Sequence, residues 1–212
     1  MKRRTMALLI FVGVLVLDQA SKIWVKTHMA YGEEFSIFGQ DWALVHFVEN
    51  NGMAFGIGIG GEYGKLLLSL FRIFAVIIMG AYLYRLVQRR ADYTLIGSFS
   101  LVLAGALGNI VDSVFYGVIF SASEFHGGPA TMFPEDGGYA PLLFGRVVDM
   151  LYFPLFYGVY PDWVPLYGGK SFTFFSAIFN VADVAISVGV VSLLYYFFVT
   201  PKAEQGAGSE EE

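Results

Sequence analysis

The chain has 212 residues, of which 56% are hydrophobic and only 15% charged, with a net charge of −5 and no cysteine. The missing cysteine excludes disulfides, thiolate nucleophiles and sulfur-ligated metal sites. The apolar residues are gathered in long runs instead of being spaced periodically, which is the signature of a membrane protein and not of a soluble domain.

Four runs are long enough to cross about 30 Å of hydrocarbon: about 6–26, 65–86, 93–115 and 174–199. The first also has features of a cleaved signal peptide, with Lys2, Arg3 and Arg4 ahead of the apolar Ala7 to Leu17 and small Ala20 and Ser21 behind. Against that reading, apolar character resumes at Ile23, Trp24 and Val25, and no Ala-x-Ala-like site precedes a polar start. A retained helix is therefore expected. Within it, "LDQASK" sets Asp18 and Lys22 four residues apart on one helical face, able to pair.

Between the first and second runs, "ALVHFVENNGMAFGIGIGG" (43–61) opens with strand-like composition and becomes Gly-rich, which predicts a short sheet at the membrane surface. Basic residues flank the helices at Lys2, Arg3 and Arg4, at Arg85, Arg89 and Arg90, and at Lys202. By the positive-inside rule both termini are cytoplasmic, and about 27–64 and 116–173 lie outside.

The third run contains "GALGNIVDS", with Asn109 and Asp112 at i, i+3 and Gly105 one turn before Asn109. "LLFGRVVDMLYFP" (142–154) follows in the outer connection and sets Asp149 in an apolar, β-branched segment, predicted to be held at an interface. The fourth run carries Asn180 and Asp183, again three apart. Counting 1.5 Å per residue from the outer helix ends puts Asp18, Asn109 and Asp183 in one layer, roughly 9–14 Å deep. The "EQGAGSEEE" tail has no apolar anchor. Residues 1–200 are thus expected to form one membrane-embedded domain and 201–212 a disordered acidic cytoplasmic tail. The fold class expected is an all-α integral membrane protein with four transmembrane helices, a small extracytoplasmic β-rich surface element and long outer loops.

A single asparagine in such a bundle is ordinarily interhelical hydrogen-bond glue, and Gly105 and Gly108 ordinarily allow close packing. Several carboxylates at one depth are different, because their ionised forms are costly in hydrocarbon. A metal site is poorly supported: His28, His46 and His126 are scattered and no His-Glu-x-x-His pattern exists. Ser21 and Lys22 are adjacent, so on a helix they point about 100° apart and do not form a dyad. Paired aspartates remain, one keeping a proton while the other acts as base towards water. By spacing alone, Asp112 and Asp149 are both open as partners of Asp183.

In order, "DQASK" (18–22), "ENNGMAFG" (49–56), "GALGNIVDS" (105–113), "VVDM" (147–150) and "FNVAD" (179–183) resemble the lipoprotein signal peptidase family, also called signal peptidase II. The resemblance spans most of the chain. It implies a bacterial inner-membrane aspartyl endopeptidase that removes signal peptides from prolipoproteins, cutting before a diacylglyceryl-cysteine. It assigns the catalytic aspartates to Asp149 and Asp183. It makes Asn109 and Asn180 polar supports, Asp18 and Lys22 an ordering pair, and Asn50 and Gly52 part of the substrate-facing surface. Gly105, Asp112 and Arg146 complete the candidate site. The expected partners are lipid-modified prolipoproteins and membrane lipid, with no nucleic acid; a monomer is expected, with no cofactor and no metal.

Two departures stand out. The family usually has Arg directly after the aspartate of "GNxxDR", where this chain has Ser113; Arg146, reaching back across the outer connection, is the candidate replacement. The stretches between Ser113 and Asp149 and between Asp149 and Asp183 are also longer than usual. Their Gly-, Pro- and aromatic-rich inserts are expected to form an outer cap, or else mobile linkers. Two other classes compete with the peptidase: an ion-coupled carrier, disfavoured by four helices with no internal repeat, and a non-catalytic assembly protein, which would tolerate Asp183→Asn.

Overall fold

The computed structural model describes residues 1–50, 61–125 and 127–199. In chain order the elements are α1 (Arg3–His28), β1 (Glu34–Ser36), β2 (Leu44–Asn50), α2 (Gly61–Gln88), α3 (Tyr93–Val111), a π-helical turn (Asp112–Tyr116) and the short α4 (Gly117–Ile119). They continue with β3 (Val147–Tyr152), β4 (Phe156–Val159), β5 (Ser171–Phe174), β6 (Ile178–Phe179) and α5 (Val181–Phe198). Four helical spans, Arg3–His28, Tyr63–Gln88, Tyr93–Ile119 and Val181–Phe198, are long and apolar enough to cross a membrane.

Strands β1, β2, β3 and β6 form an antiparallel sheet in that order, and β4 and β5 form a separate hairpin. The all-α label is therefore corrected: it holds for the spans, while strands β1–β6 lie in the connections between them. The strand composition read at Leu44–Asn50 is borne out as β2. The Gly-rich continuation at 51–60 lies outside the described residues, as do Gly52, His126 and the acidic tail.

The largest correction concerns the last helix, expected over about 174–199 and found at Val181–Phe198. Residues 171–174 and 178–179 are strands instead. Hydrophobicity alone merges a buried apolar strand with the helix that follows it. The separating signal is Asn180, whose side-chain oxygen accepts the Asp183 N–H at 3.0 Å while the Asp183 carboxylate accepts the Asn180 N–H at 3.1 Å. This reciprocal capping box starts α5. Asp183 thus sits in the first turn and not deep within the helix.

α3 is central, touching α1, α2 and α5. Glycine makes that approach possible: a methyl group at Gly105 would overlap the Ala182 carbonyl, and one at Gly108 would overlap the Asp18 carboxylate. Two apolar clusters bracket the bundle. Ala7, Leu83, Ile96, Leu103 and Tyr196 fill one end; Val25, Phe47, Tyr116, Phe120, Val148 and Met150 fill the other, under the sheet. Between them lies a polar layer.

The first insert folds back on the end of α3–α4. Phe120 bridges Met132, and the N–H groups of Ala140, Leu143 and Gly145 donate to the carbonyls of Gly117, Val114 and Ser113. These bonds tie its second half to the end of α3–α4. The second insert is the β4–β5 hairpin and its turn, which leaves Tyr157, Trp163 and Leu166 exposed.

Candidate active site

The polar layer is assembled from five places in the chain. α1 supplies Asp18, Gln19 and Lys22; α3 and its π turn supply Asn109 and Asp112; β2 ends on Asn50; β3 carries Asp149; and the β6–α5 junction carries Asn180 and Asp183.

Lys22, fully buried, is the hub. Its ammonium reaches Asp18 Oδ2 at 3.0 Å, Asp112 Oδ2 at 2.8 Å and Asn109 Oδ1 at 2.8 Å. An ammonium has three N–H donors, and all three are used. The expected Asp18–Lys22 pairing is present, and Asp18 also reaches a second helix, where its Oδ1 accepts the Ala182 N–H at 2.9 Å. That caps one of the orphan N–H groups at the start of α5. Gln19, inside "DQASK" but given no role by it, shares its two amide N–H groups among Asp18, Asp112 and the Gly108 carbonyl, and accepts from the Tyr116 hydroxyl.

Two asparagines turn this layer into a frame. Asn109 Nδ2 donates to Asp183 Oδ1 at 2.9 Å. Asn180 Nδ2 donates to Asp149 Oδ1 at 2.6 Å and lies 3.1 Å from Asn109 Oδ1. From the opposite side Asn50 Nδ2 donates to Asp149 Oδ2 at 2.6 Å. Both oxygens of Asp149 are therefore engaged, and so are both oxygens of Asp183.

Asp149 is 3% exposed. Burial, and secondarily the neighbouring Asp183 carboxylate, push its carboxyl up to about 7, against the hydrogen bonds from Asn50 and Asn180 and the more distant Lys22 charge. Asp112, the other partner open by spacing, is tied up elsewhere: besides Lys22 and Gln19 it accepts the Val148 N–H at 3.3 Å. It fixes the strand on which Asp149 sits.

Ser113 occupies its own helix, donating to the Asn109 carbonyl at 3.0 Å. Arg146 does not turn back towards position 113; its guanidinium meets Glu49 at 3.3 Å and lies over the Tyr139 ring. His28 stacks on Trp24, and His46 pairs with Glu34. Gln19 and Glu49 lie inside the quoted "DQASK" and "ENNGMAFG" stretches but are not among the candidate site residues, and neither are Lys26, Ser123 and Tyr139. The signals present were a Lys22/Lys26 pair one helical turn apart and an acidic residue beside Asn50. Only Lys26 had a periodicity that could single it out.

A family profile described as signal peptidase (SPase) II matches residues 10–199. The chain belongs to the signal peptidase II family. A lipoprotein signal peptidase of Porphyromonas gingivalis is 51% identical over 189 residues, 87% of this chain and 79% of that protein. One of Amoebophilus asiaticus is 38% identical over 183 residues, 85% of this chain and 72% of its own. Two solved structures described as bacterial membrane enzymes share the fold, with TM-scores of 0.59 and 0.58 at 23% and 24% identity. They cover 97% and 92% of this chain and 93% and 94% of their own. Membership in signal peptidase II makes this polar layer part of a membrane-embedded peptidase.

Proposed function

We propose that the protein is an aspartyl endopeptidase of the bacterial inner membrane that removes signal peptides from diacylglyceryl-modified prolipoproteins, cutting just before the lipidated cysteine. The observation that carries this reading is the meeting of Asp149 and Asp183, brought from a strand and a helix start into one asparagine frame, with the Asp149 carboxyl raised to about 7.

Asp183 lies in the first turn of α5, where the helix dipole favours negative charge; it serves as the base. Asp149 carries the proton. A water molecule between them attacks the scissile carbonyl carbon as its proton passes to Asp183, while Asp149 protonates the carbonyl oxygen. In the collapse of the tetrahedral diol, the proton on Asp183 goes to the leaving amine. Asp149 recovers its own from the hydroxyl. Asn50, Asn109 and Asn180 hold the carboxyls in place, Asp18 and Lys22 order the layer beneath, and Gly105 lets α3 and α5 approach.

Both termini are cytoplasmic in this reading, the sheet faces the periplasmic side, and the enzyme works as a monomer without a cofactor. A diacylglyceryl anchor holds the scissile bond near the headgroups, at the depth of the α5 start and the β3 strand that carry the dyad. The test is cleavage of a lipid-modified prolipoprotein by the purified protein, set beside Asp149→Asn and Asp183→Asn. Loss of cleavage in both folded variants is expected. Unimpaired cleavage by either removes that residue from the dyad.

A further inference from the structure

One carboxylate with a buried side chain belongs neither to the dyad nor to the layer around Lys22. Glu49 of β2 is 1% exposed and is met by two cations. Lys26, one turn beyond Lys22 on α1 and itself fully buried, pairs with Oε1 and also meets Ser123 Oγ at 2.8 Å, while the Ser123 hydroxyl lies 3.1 Å from the same Oε1. Arg146 Nη1 reaches Oε2 at 3.3 Å. Tyr139 underlies both cations, at 5.1 Å from Lys26 and 5.3 Å from Arg146, and its hydroxyl accepts the Arg146 N–H at 2.6 Å. Lys65 of α2 adds a more distant positive charge.

Taking an ion pair out of water costs several kcal/mol per ion unless the geometry is good and the remaining polar atoms are satisfied. Here each buried side-chain N and O among the described residues has a partner. The place of the network gives it a consequence. Glu49 stands opposite Val148, and its neighbour Asn50 stands opposite Val147, the residue after Arg146. The Arg146–Glu49 pair therefore closes the β2–β3 ladder at the end where the Asn50 amide meets Asp149. Lys26 ties that same end down to α1, and Ser123 and Tyr139 tie it to the first outer insert.

We propose that Glu49, gripped by Lys26 and Arg146, is a positioning residue that holds the Asn50 amide on Asp149, and that the first outer insert exists in part to complete this clamp. The proposal rests on the peptidase reading of the dyad. Glu49 touches neither reacting carboxyl; it acts through the residue beside it.

The direction of the effect follows from the groups facing Asp149: Asp183 from α5, Asn180 at its cap, Asn50 from β2 and, at longer range, Lys22 from α1. A hydrogen bond to the ionised carboxylate favours that form, so loosening Asn50 makes Asp149 keep its proton to higher pH. Losing one hydrogen bond to a charged group shifts the titration upward by about one pH unit.

The experiment compares the original chain with Asn50→Ala, Glu49→Gln and their combination, in detergent. It measures kcat and KM against pH on a lipidated prolipoprotein and, independently of turnover, the infrared band of the protonated carboxyl, assigned by its loss in Asp149→Asn. Expected for Glu49→Gln are a fall in kcat of about ten-fold with little change in KM, an upward shift of the carboxyl titration like that of Asn50→Ala, and no further shift in the combination. A folded Glu49→Gln with the original titration and kcat, or effects that multiply with those of Asn50→Ala, overturns the clamp. Should Glu49→Gln fail to fold, Arg146→Met leaves the buried Lys26–Glu49 pair intact and removes an arm that is 43% exposed; the same readings then decide. If the original chain does not cleave, the peptidase reading fails, while the infrared titration still decides the clamp.

Discussion

Lys22 shows how much one side chain carries. Its ammonium neutralises Asp18 and Asp112, and those carboxylates in turn hold the Ala182 N–H of α5 and the Val148 N–H of β3. Lys22→Met leaves two buried carboxylates without their cation, and we expect a loss of about 3–5 kcal/mol in stability, measured by denaturation in detergent. Lys22→Arg should not restore it, because a planar fork cannot reproduce three convergent N–H donors on a buried point charge.

Asp149 gives a pH dependence whose sign can be worked out. Its carboxyl rises from an ordinary 3.8 to about 7, so the folded state binds this proton more tightly than the unfolded chain. The stability it contributes is fully present below about pH 4 and is lost as pH rises through about 7, a difference on the order of a few kcal/mol. The melting temperature should fall across that window, and fall less in Asp149→Asn. Cleavage should fall on the alkaline side as the Asp149 proton leaves, above about pH 7.

Among elements, the start of α5 decides how Asp183 stands to Asp149. Asn180 is both the N-cap of the helix and a donor to Asp149. These roles can be separated. Asn180→Ala loses both and should cost about 1–2 kcal/mol from the cap alone. Asn180→Ser keeps a capping oxygen but cannot reach Asp149 with an amide, so it should keep more of the stability and still lose most of the cleavage rate. Melting and turnover measured on both variants check the separation. α3 meets α5 through Gly105, where an added methyl overlaps the Ala182 carbonyl. Gly105→Ala should destabilise by about 1–3 kcal/mol and displace the first turn of α5 along with Asp183.

For the whole molecule, the chain's lack of cysteine makes its orientation directly measurable. Arg89 and Glu124 are exposed at opposite ends of the helical spans. A membrane-impermeant maleimide should label Glu124→Cys in intact spheroplasts and Arg89→Cys only after permeabilisation. The reverse pattern would overturn the placement of both termini in the cytoplasm and of the sheet on the periplasmic side. The aromatic hairpin fits the same orientation, since exposed Tyr157, Trp163 and Tyr167 suit a membrane–water boundary.

Four spans, the Asp18–Lys22 pair and the candidate status of Asn109, Asp149, Asn180 and Asp183 were all legible in the sequence. Apolar run length and the cost of ionisable groups in hydrocarbon are local properties, written residue by residue. Which aspartate faces Asp183 was not local. Asp112 and Asp149 lie on different elements, and only the pairing of β2 with β3 and the docking of α5 on α3 direct Asp149 to the frame while Lys22 claims Asp112. The true start of α5 was hidden for a related reason: the strand before it is as apolar as the helix, and hydropathy carries no backbone geometry. The clamp at Glu49 needed the tertiary structure most of all, because its partners, Lys26, Ser123 and Arg146, are 23, 74 and 97 residues away along the chain.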